Sequence, residues 1–240
     1  ANLTITAQPQ TITYGASVPA TTVIYAGFVN GDTASSLTTL PTISSAQSGV
    51  LAAGTYTGNY TASGATDPNY SIFYVPGNLV VGQVSLTITA QPQTITYGTS
   101  VPTTTVSYSG FVNGDSASSL TTQPTISSAL SGVVAVGNYP GNYTVSGAVD
   151  PNYSISYVPG TLTVNAAPQP IIKSIVVANG TATITFAGTN GVTYVTQSTT
   201  NLAVNAWIPI STNTPGLSGG WTVTNSISNV SKQFYRTLIP

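Results

Sequence analysis

Seven side chains in 240 residues carry a formal charge, and any acid–base chemistry has to start from them. The acids are Asp32, Asp67, Asp115 and Asp150; the cations are Lys173, Lys232 and Arg236. A pair of carboxylates is what glycoside hydrolysis uses, one protonating the leaving group while the other attacks or activates water. Their sequence surroundings favour a structural role instead. Asp67-Pro68-Asn69 and Asp150-Pro151-Asn152 place Asp first and Pro second, the preference of a type I turn. Asp32 and Asp115 each follow Asn-Gly, where a turn or a helix N-cap takes Asp. One Asp with backbone carbonyls is a thin ligand set for Ca²⁺, which recruits several carboxylates. The chain has no His, Cys, Met or Glu, which removes the usual transition-metal ligands and the Ser-His-Asp and Cys-His nucleophiles. The expectation is a protein with no catalytic residue, no metal and no cofactor.

The remaining candidates are aromatic side chains, lysines and asparagines. Tyr14, Tyr25, Tyr56, Tyr60, Tyr70 and Tyr74 all recur 83 residues later, which reads as core and sheet packing before it reads as a sugar platform. Trp207 lies in an apolar run and reads as core. Trp221 follows Gly219-Gly220 and is the candidate exposed aromatic contact, suited to stacking on a glycan. A Lys–Asn isopeptide bond needs a lysine, and only the last domain has any, Lys173 and Lys232. Asn-x-Ser/Thr acceptors occur at Asn2, Asn59, Asn69, Asn142, Asn152, Asn179 and Asn229. Three cations cannot neutralise a run of phosphates, so no nucleic-acid partner is expected.

The elements that position these residues come from a duplication. Leu3–Gly82 and Leu86–Asn165 align without a gap, and 63 of the 80 positions are identical. Charged residues are 3% of the chain against about 25% in an ordinary protein, while 41% are hydrophobic, so the chain is neither disordered nor charge-solvated. Ser and Thr, 69 together, do the solvating. Thr, Val, Ile and Tyr favour strands, and 23 Gly with 16 Pro punctuate turns. No run of 18 apolar residues exists, so no transmembrane helix and no membrane insertion are expected.

Within the first copy, strands are expected at Leu3–Ala7, Thr11–Tyr14, Thr22–Phe28, Thr42–Ser45, Gly54–Ser63, Tyr70–Val75 and Asn78–Val81. A short helix is expected through Ser35-Ser36-Leu37, capped by Asp32 or Thr33. Beyond the Pro-rich stretch Ala166–Ile171 come Ile175–Val177, Thr181–Phe186, Thr193–Gln197, Trp207–Ile210, Gly220–Thr224 and Gln233–Leu238, six strand-like runs that read as a β-sandwich. The fold class is mainly β: three β domains in tandem, over 1–83, 84–166 and 167–240. The short Gly82-Gln83-Val84 link is expected to hold the first two end to end.

Tyr14-Gly15, Gly27-Phe-Val-Asn-Gly-Asp32, Ser35-Ser-Leu37, Asp67-Pro-Asn-Tyr70 and Gly77-Asn-Leu-Val80, with their counterparts 83 residues on, resemble the MBG domains of bacterial surface adhesins. The resemblance covers about two-thirds of the chain. It implies β-rich modules repeated on secreted or surface-anchored proteins, and it brings no catalytic residues. Tyr194…Gln197-Ser-Thr-Thr-Asn-Leu202…Trp207 and Gln233-Phe-Tyr-Arg236 resemble, more loosely, the fibronectin-type or Ig-like terminal domains of large bacterial secreted proteins.

Differences between the copies point to surfaces. Ile24, Leu40 and Phe73 correspond to Ser107, Gln123 and Ser156, so these three are expected to meet a neighbouring domain or another subunit rather than a core. The repeats hold only acids and the last domain only cations, an arrangement suited to head-to-tail contact between copies. Sheets usually guard their edges with charge, and a chain this poor in charge is expected to leave edges free to pair. The expected function is a structural subunit of an extracellular or cell-surface filament, self-assembling as a homopolymer. In one version Ala1–Ala7, with Leu3 and Ile5 inward, serves as a donor strand to the next subunit. The alternatives are a spacer stalk of a monomeric adhesin, or a module binding surface glycans. The absence of Met and of a basic-plus-apolar leader at the start is read as a removed leader or a fragment.

Overall fold

A computed structural model describes residues 1–228 and 230–240. The chain forms two compact units: Ala1–Thr89 with Val106–Thr125 and Val145–Val158, and Ala90–Thr105 with Ile126–Thr144 and Pro159–Pro240. The first holds the whole first repeat and one sheet of the second. The other holds the remaining sheet of the second repeat and the strands that follow it.

The first repeat has seven strands: β1 (Asn2–Ala7), β2 (Gln10–Thr13), β3 (Val23–Ala26), β4 (Thr42–Ser45), β5 (Gly54–Ser63), β6 (Ser71–Val75) and β7 (Gly77–Gly82). Alternation makes β1: Leu3, Ile5 and Ala7 turn inward and are fully buried, while Thr4 and Thr6 face out. β1 lies between β3 and β6, antiparallel to the first and parallel to the second. Gln8-Pro9 carries the chain to a second sheet, ordered β2-β7-β5-β4, in which β2 runs parallel to β7. Leu3 and Ile5 from one sheet meet Ala62 from the other, with Leu37, Ala65 and Tyr70 closing the core. Each fully buried Leu or Ile contributes roughly 1.5–3 kcal/mol.

The expected helix is a single 3₁₀ turn, Ala34–Ser36, with Thr33 as its N-cap. Asp32 has another role, described below.

The second repeat reproduces the strand order sheet by sheet. Its strands are β8 (Val84–Ala90), β9 (Gln93–Thr96), β10 (Val106–Ser109), β11 (Thr125–Ser128), β12 (Gly137–Ser146), β13 (Tyr153–Val158) and β14 (Gly160–Asn165). One sheet is β10-β8-β13, with β8 parallel to β13. The other is β11-β12-β14-β9, with β9 parallel to β14.

The last six strands are β15 (Ile171–Ala178), β16 (Thr181–Ala187), β17 (Tyr194–Thr199), β18 (Ile208–Asn213), β19 (Gly220–Ser226) and β20 (Phe234–Leu238). They form two antiparallel sheets, β15-β16-β19 and β18-β17-β20, about a core of Ile184, Phe186, Val192, Tyr194, Trp221 and Val223. The sandwich expected from six strand-like runs is present.

Some edges are less open than composition suggests. In the first repeat the edge strands β2, β3, β4 and β6 are only four or five residues long. The eight-residue edge strand β15 carries Lys173 where its register shifts against β16. Edge strand β20 carries Arg236, and edge strand β18 carries Pro209. Brevity, a charge at a bulge and an edge proline each oppose pairing with another chain. Edge strand β19 has neither charge nor proline, and β15 exposes Ile171, Ile172, Ile175, Val176 and Val177.

Candidate functional site

β2 ends in a tight corner that leads out of its own repeat. The Tyr14 amide donates to the Gly82 carbonyl at 2.9 Å, and the Ala16 amide donates back to Thr13 at 3.1 Å. Gly15 at the apex has φ +93°, a conformation that costs an L side chain roughly 1–2 kcal/mol. With its backbone pinned this way, Tyr14 extends to the second repeat. Its hydroxyl donates to Asp115 Oδ2 at 2.9 Å and accepts from Asn113 Nδ2 at 3.3 Å. Its ring meets that of Tyr153 edge-on, with centroids 5.6 Å apart. A Cβ on Gly15 would lie 2.9 Å from Val112 Cγ2, so glycine also permits the close approach.

Two further bonds frame the contact. The Ala53 amide donates to Asn152 Oδ1 at 2.9 Å, and Gln83 Nε2 donates to the Pro151 carbonyl at 3.0 Å.

The receiving surface is built within the second repeat. The Tyr153 hydroxyl donates to Asp115 Oδ2 at 2.8 Å and accepts the Val112 amide at 3.1 Å. Asn113 sits at φ +58° in the left-handed region, where Asn is tolerated. Asp115 thus holds two phenols, one from each repeat. Burial pushes the Tyr153 phenol up to about 12; the Val112 bond opposes this, and the bond to Asp115, its charge and the neighbouring Tyr14 add to it. For Tyr14, the Asn113 amide favours the phenolate, but burial, the bond to Asp115 and the charges of Asp115 and Asp150 outweigh it and raise the phenol above its usual 10.0.

The same corner recurs at the end of β9 and finds a different receiver. The Tyr97 amide donates to Asn165 at 2.8 Å and the Thr99 amide to Thr96 at 3.0 Å. Gly98 has φ +97°, and a Cβ there would lie 2.5 Å from Val192 Cγ2 and 3.1 Å from the Asn190 carbonyl oxygen. Tyr97 packs against the core of the last domain. Gly191 approaches in return, since a Cβ on it would lie 2.7 Å from the Gly98 oxygen. One motif therefore docks on a carboxylate and a Tyr ring in one place and on Val192 in the other.

Several expected site residues lie elsewhere. Leu3 and Ile5 are fully buried in a strand hydrogen-bonded on both sides, so β1 cannot be donated without dismantling its own sheet. Trp221 is 9% exposed and stacks on Phe186 and Tyr194, with centroids 5.1 and 4.8 Å away. It is core rather than a sugar contact. β19 begins at Gly220 as expected, and alternation turns Trp221 inward rather than out. Trp207 is half-buried, with the Arg236 guanidinium 4.3 Å above its ring.

Ile24, Leu40 and Phe73 are 52%, 58% and 56% exposed, so no neighbouring domain of this chain covers them. Ile24 and Phe73 flank Thr6 and Thr4 of β1 on one outward sheet face.

The carboxylates are structural. Asp67 Oδ1 and Asp150 Oδ1 accept the Asn69 and Asn152 amides at 2.8 Å, closing the expected turns, while Asp32 and Asp115 accept phenols. Asn59 and Asn142 are buried, each bonding a Ser hydroxyl and a backbone amide, which withdraws both from glycosylation. Asn229 lies outside the described residues. The junction role of Tyr14 was hidden in the sequence because recurrence alone cannot separate a core tyrosine from one that docks on the next module.

A family model described as MBG domain (YGX type) matches residues 3–80 and 86–163. Tyr14-Gly15-Ala16 and Tyr97-Gly98-Thr99 each spell such a Tyr-Gly-X step. No curated protein matches the chain. Among the described residues no helix is long and apolar enough to cross a membrane.

Proposed function

From the premise that this chain belongs to the MBG domain (YGX type) family, adhesin-like β-repeat modules typical of extracellular surface proteins, we propose that it works as a spacer segment of such a protein. The observation that carries this reading is the reuse of the Tyr-Gly corner, which fixes one module to the next at two successive junctions. A spacer has to resist bending where its modules meet. The corner does this without charge pairs between side chains of opposite sign, so it should hold at any ionic strength.

The experiment is light scattering over a wide range of concentration and salt. The spacer reading expects the mass of one chain, 24.3 kDa, throughout. Salt-independent polymers would replace it with the filament reading.

The filament reading is favoured by one observation, the exposed Ile24, Leu40 and Phe73, which an adjoining subunit would cover. In that case the triple exchange to the second repeat's own residues, Ile24→Ser, Leu40→Gln and Phe73→Ser, dissolves the polymer. In a spacer it changes nothing.

A further inference from the structure

The surface that receives Tyr14 on the second repeat exists, residue for residue, on the first. Val112, Asn113, Asp115, Pro151, Asn152 and Tyr153 correspond to Val29, Asn30, Asp32, Pro68, Asn69 and Tyr70, all identical. The internal geometry is already set. The Tyr70 hydroxyl donates to Asp32 Oδ2 at 2.8 Å and accepts the Val29 amide at 3.1 Å, and Asn30 has φ +56°. Phe28 meets Tyr70 edge-on at 5.6 Å, as Phe111 meets Tyr153 at 5.4 Å.

What differs is cover. Val29 is 46% exposed and Asn69 is exposed, whereas Val112 and Asn152 are half-buried beneath the first repeat. The Asp32 carboxylate therefore carries the acceptor that Tyr14 uses on Asp115, with no second phenol on it.

We propose that this face of the first repeat is a preformed docking site for the Tyr-Gly corner of a further MBG repeat. A second copy of this chain is a poor occupant, because both of its corners are already docked within the chain, at Val112 and at Val192. The occupant is a repeat whose corner is free. The backbone path also fits: the Ala1 amine donates to the Asn69 carbonyl at 2.7 Å, where the Val84 amide donates to Asn152 at 3.0 Å. A repeat joined ahead of Ala1 at the 83-residue offset would enter in the register that the first repeat uses toward the second. The inference rests on the junction geometry and holds for a spacer and a filament subunit alike.

The test is hydrogen exchange on the full chain, with and without an extra copy of residues 1–83 fused ahead of Ala1. In the extended chain, amides of Val29–Asp32 and Asn69–Tyr70 should slow to the rates of Val112–Asp115 and Asn152–Tyr153. A Tyr14→Phe, Gly15→Val pair confined to the added copy should restore fast exchange, while protection of that copy's own strands shows that it remains folded. Unchanged exchange on extension overturns the proposal. So does slowing that survives the altered corner, since something other than the corner would then be the cover. Protection that grows with concentration in the unextended chain also overturns it, by making a second copy the occupant.

Discussion

Asp32 and Asp115 are the same residue in the same local setting, and what they touch separates them. Each accepts a phenol from its own repeat, and only Asp115 accepts a second one, from Tyr14. A hydrogen bond to a charged group contributes about 1.5–3 kcal/mol. Asp115→Asn should therefore lower stability by about that much more than Asp32→Asn, measured by denaturant unfolding of the two single variants. Alkaline pH probes the same site. The Tyr153 phenol is raised to about 12 in the folded protein, so the folded state holds its proton longer than the unfolded state does. That contribution is intact below pH of about 10 and is lost as pH rises toward 12. Following phenolate absorbance against pH should show Tyr153 titrating late, and Asp115→Asn should bring it down.

At the scale of the element, alternation made the strands legible. Leu-Thr-Ile-Thr-Ala at positions 3–7 announces a half-buried strand, and the structure places one at Asn2–Ala7. Partnership was not legible, because a local pattern names a face and not a neighbour. Nothing in residues 3–7 says that β1 runs parallel to β6, sixty-odd residues on, and so its use as a donor strand looked open. Deleting residues 1–7 should unfold the first repeat rather than weaken a polymer, and Leu3→Ala should cost about 2–5 kcal/mol. Trp221 teaches the same lesson. The strand from Gly220 is expected with Trp221 on its exposed face, but alternation buries the indole instead. Trp221→Ala should cost about 3–5 kcal/mol, seen as thermal destabilisation of the last domain, with no selective loss of a ligand. Among the described residues its indole N–H has no hydrogen-bond acceptor, so Trp221→Phe should recover most of that loss.

For the whole molecule, scarcity of charge first suggested self-association through open edges. The few charges turn out to be well placed: Lys173 on the bulge of β15, Arg236 on β20, and an acid at the centre of the junction between repeats. What joins modules is a tyrosine and a glycine at a corner, and most of that was beyond the sequence because the receivers differ, a carboxylate in one case and Val192 in the other. Gly98→Val should strain the second junction through both its φ and its contact with Val192, and should raise protease sensitivity around Ala166–Ile171 without altering the first repeat. The most direct test of corner docking is a double-mutant cycle between Tyr14→Phe and Asp115→Asn. The two losses should fall short of additivity, with a coupling of about 1–3 kcal/mol. Losses that add to within about 0.5 kcal/mol would mean that the corner does not hold the repeats together.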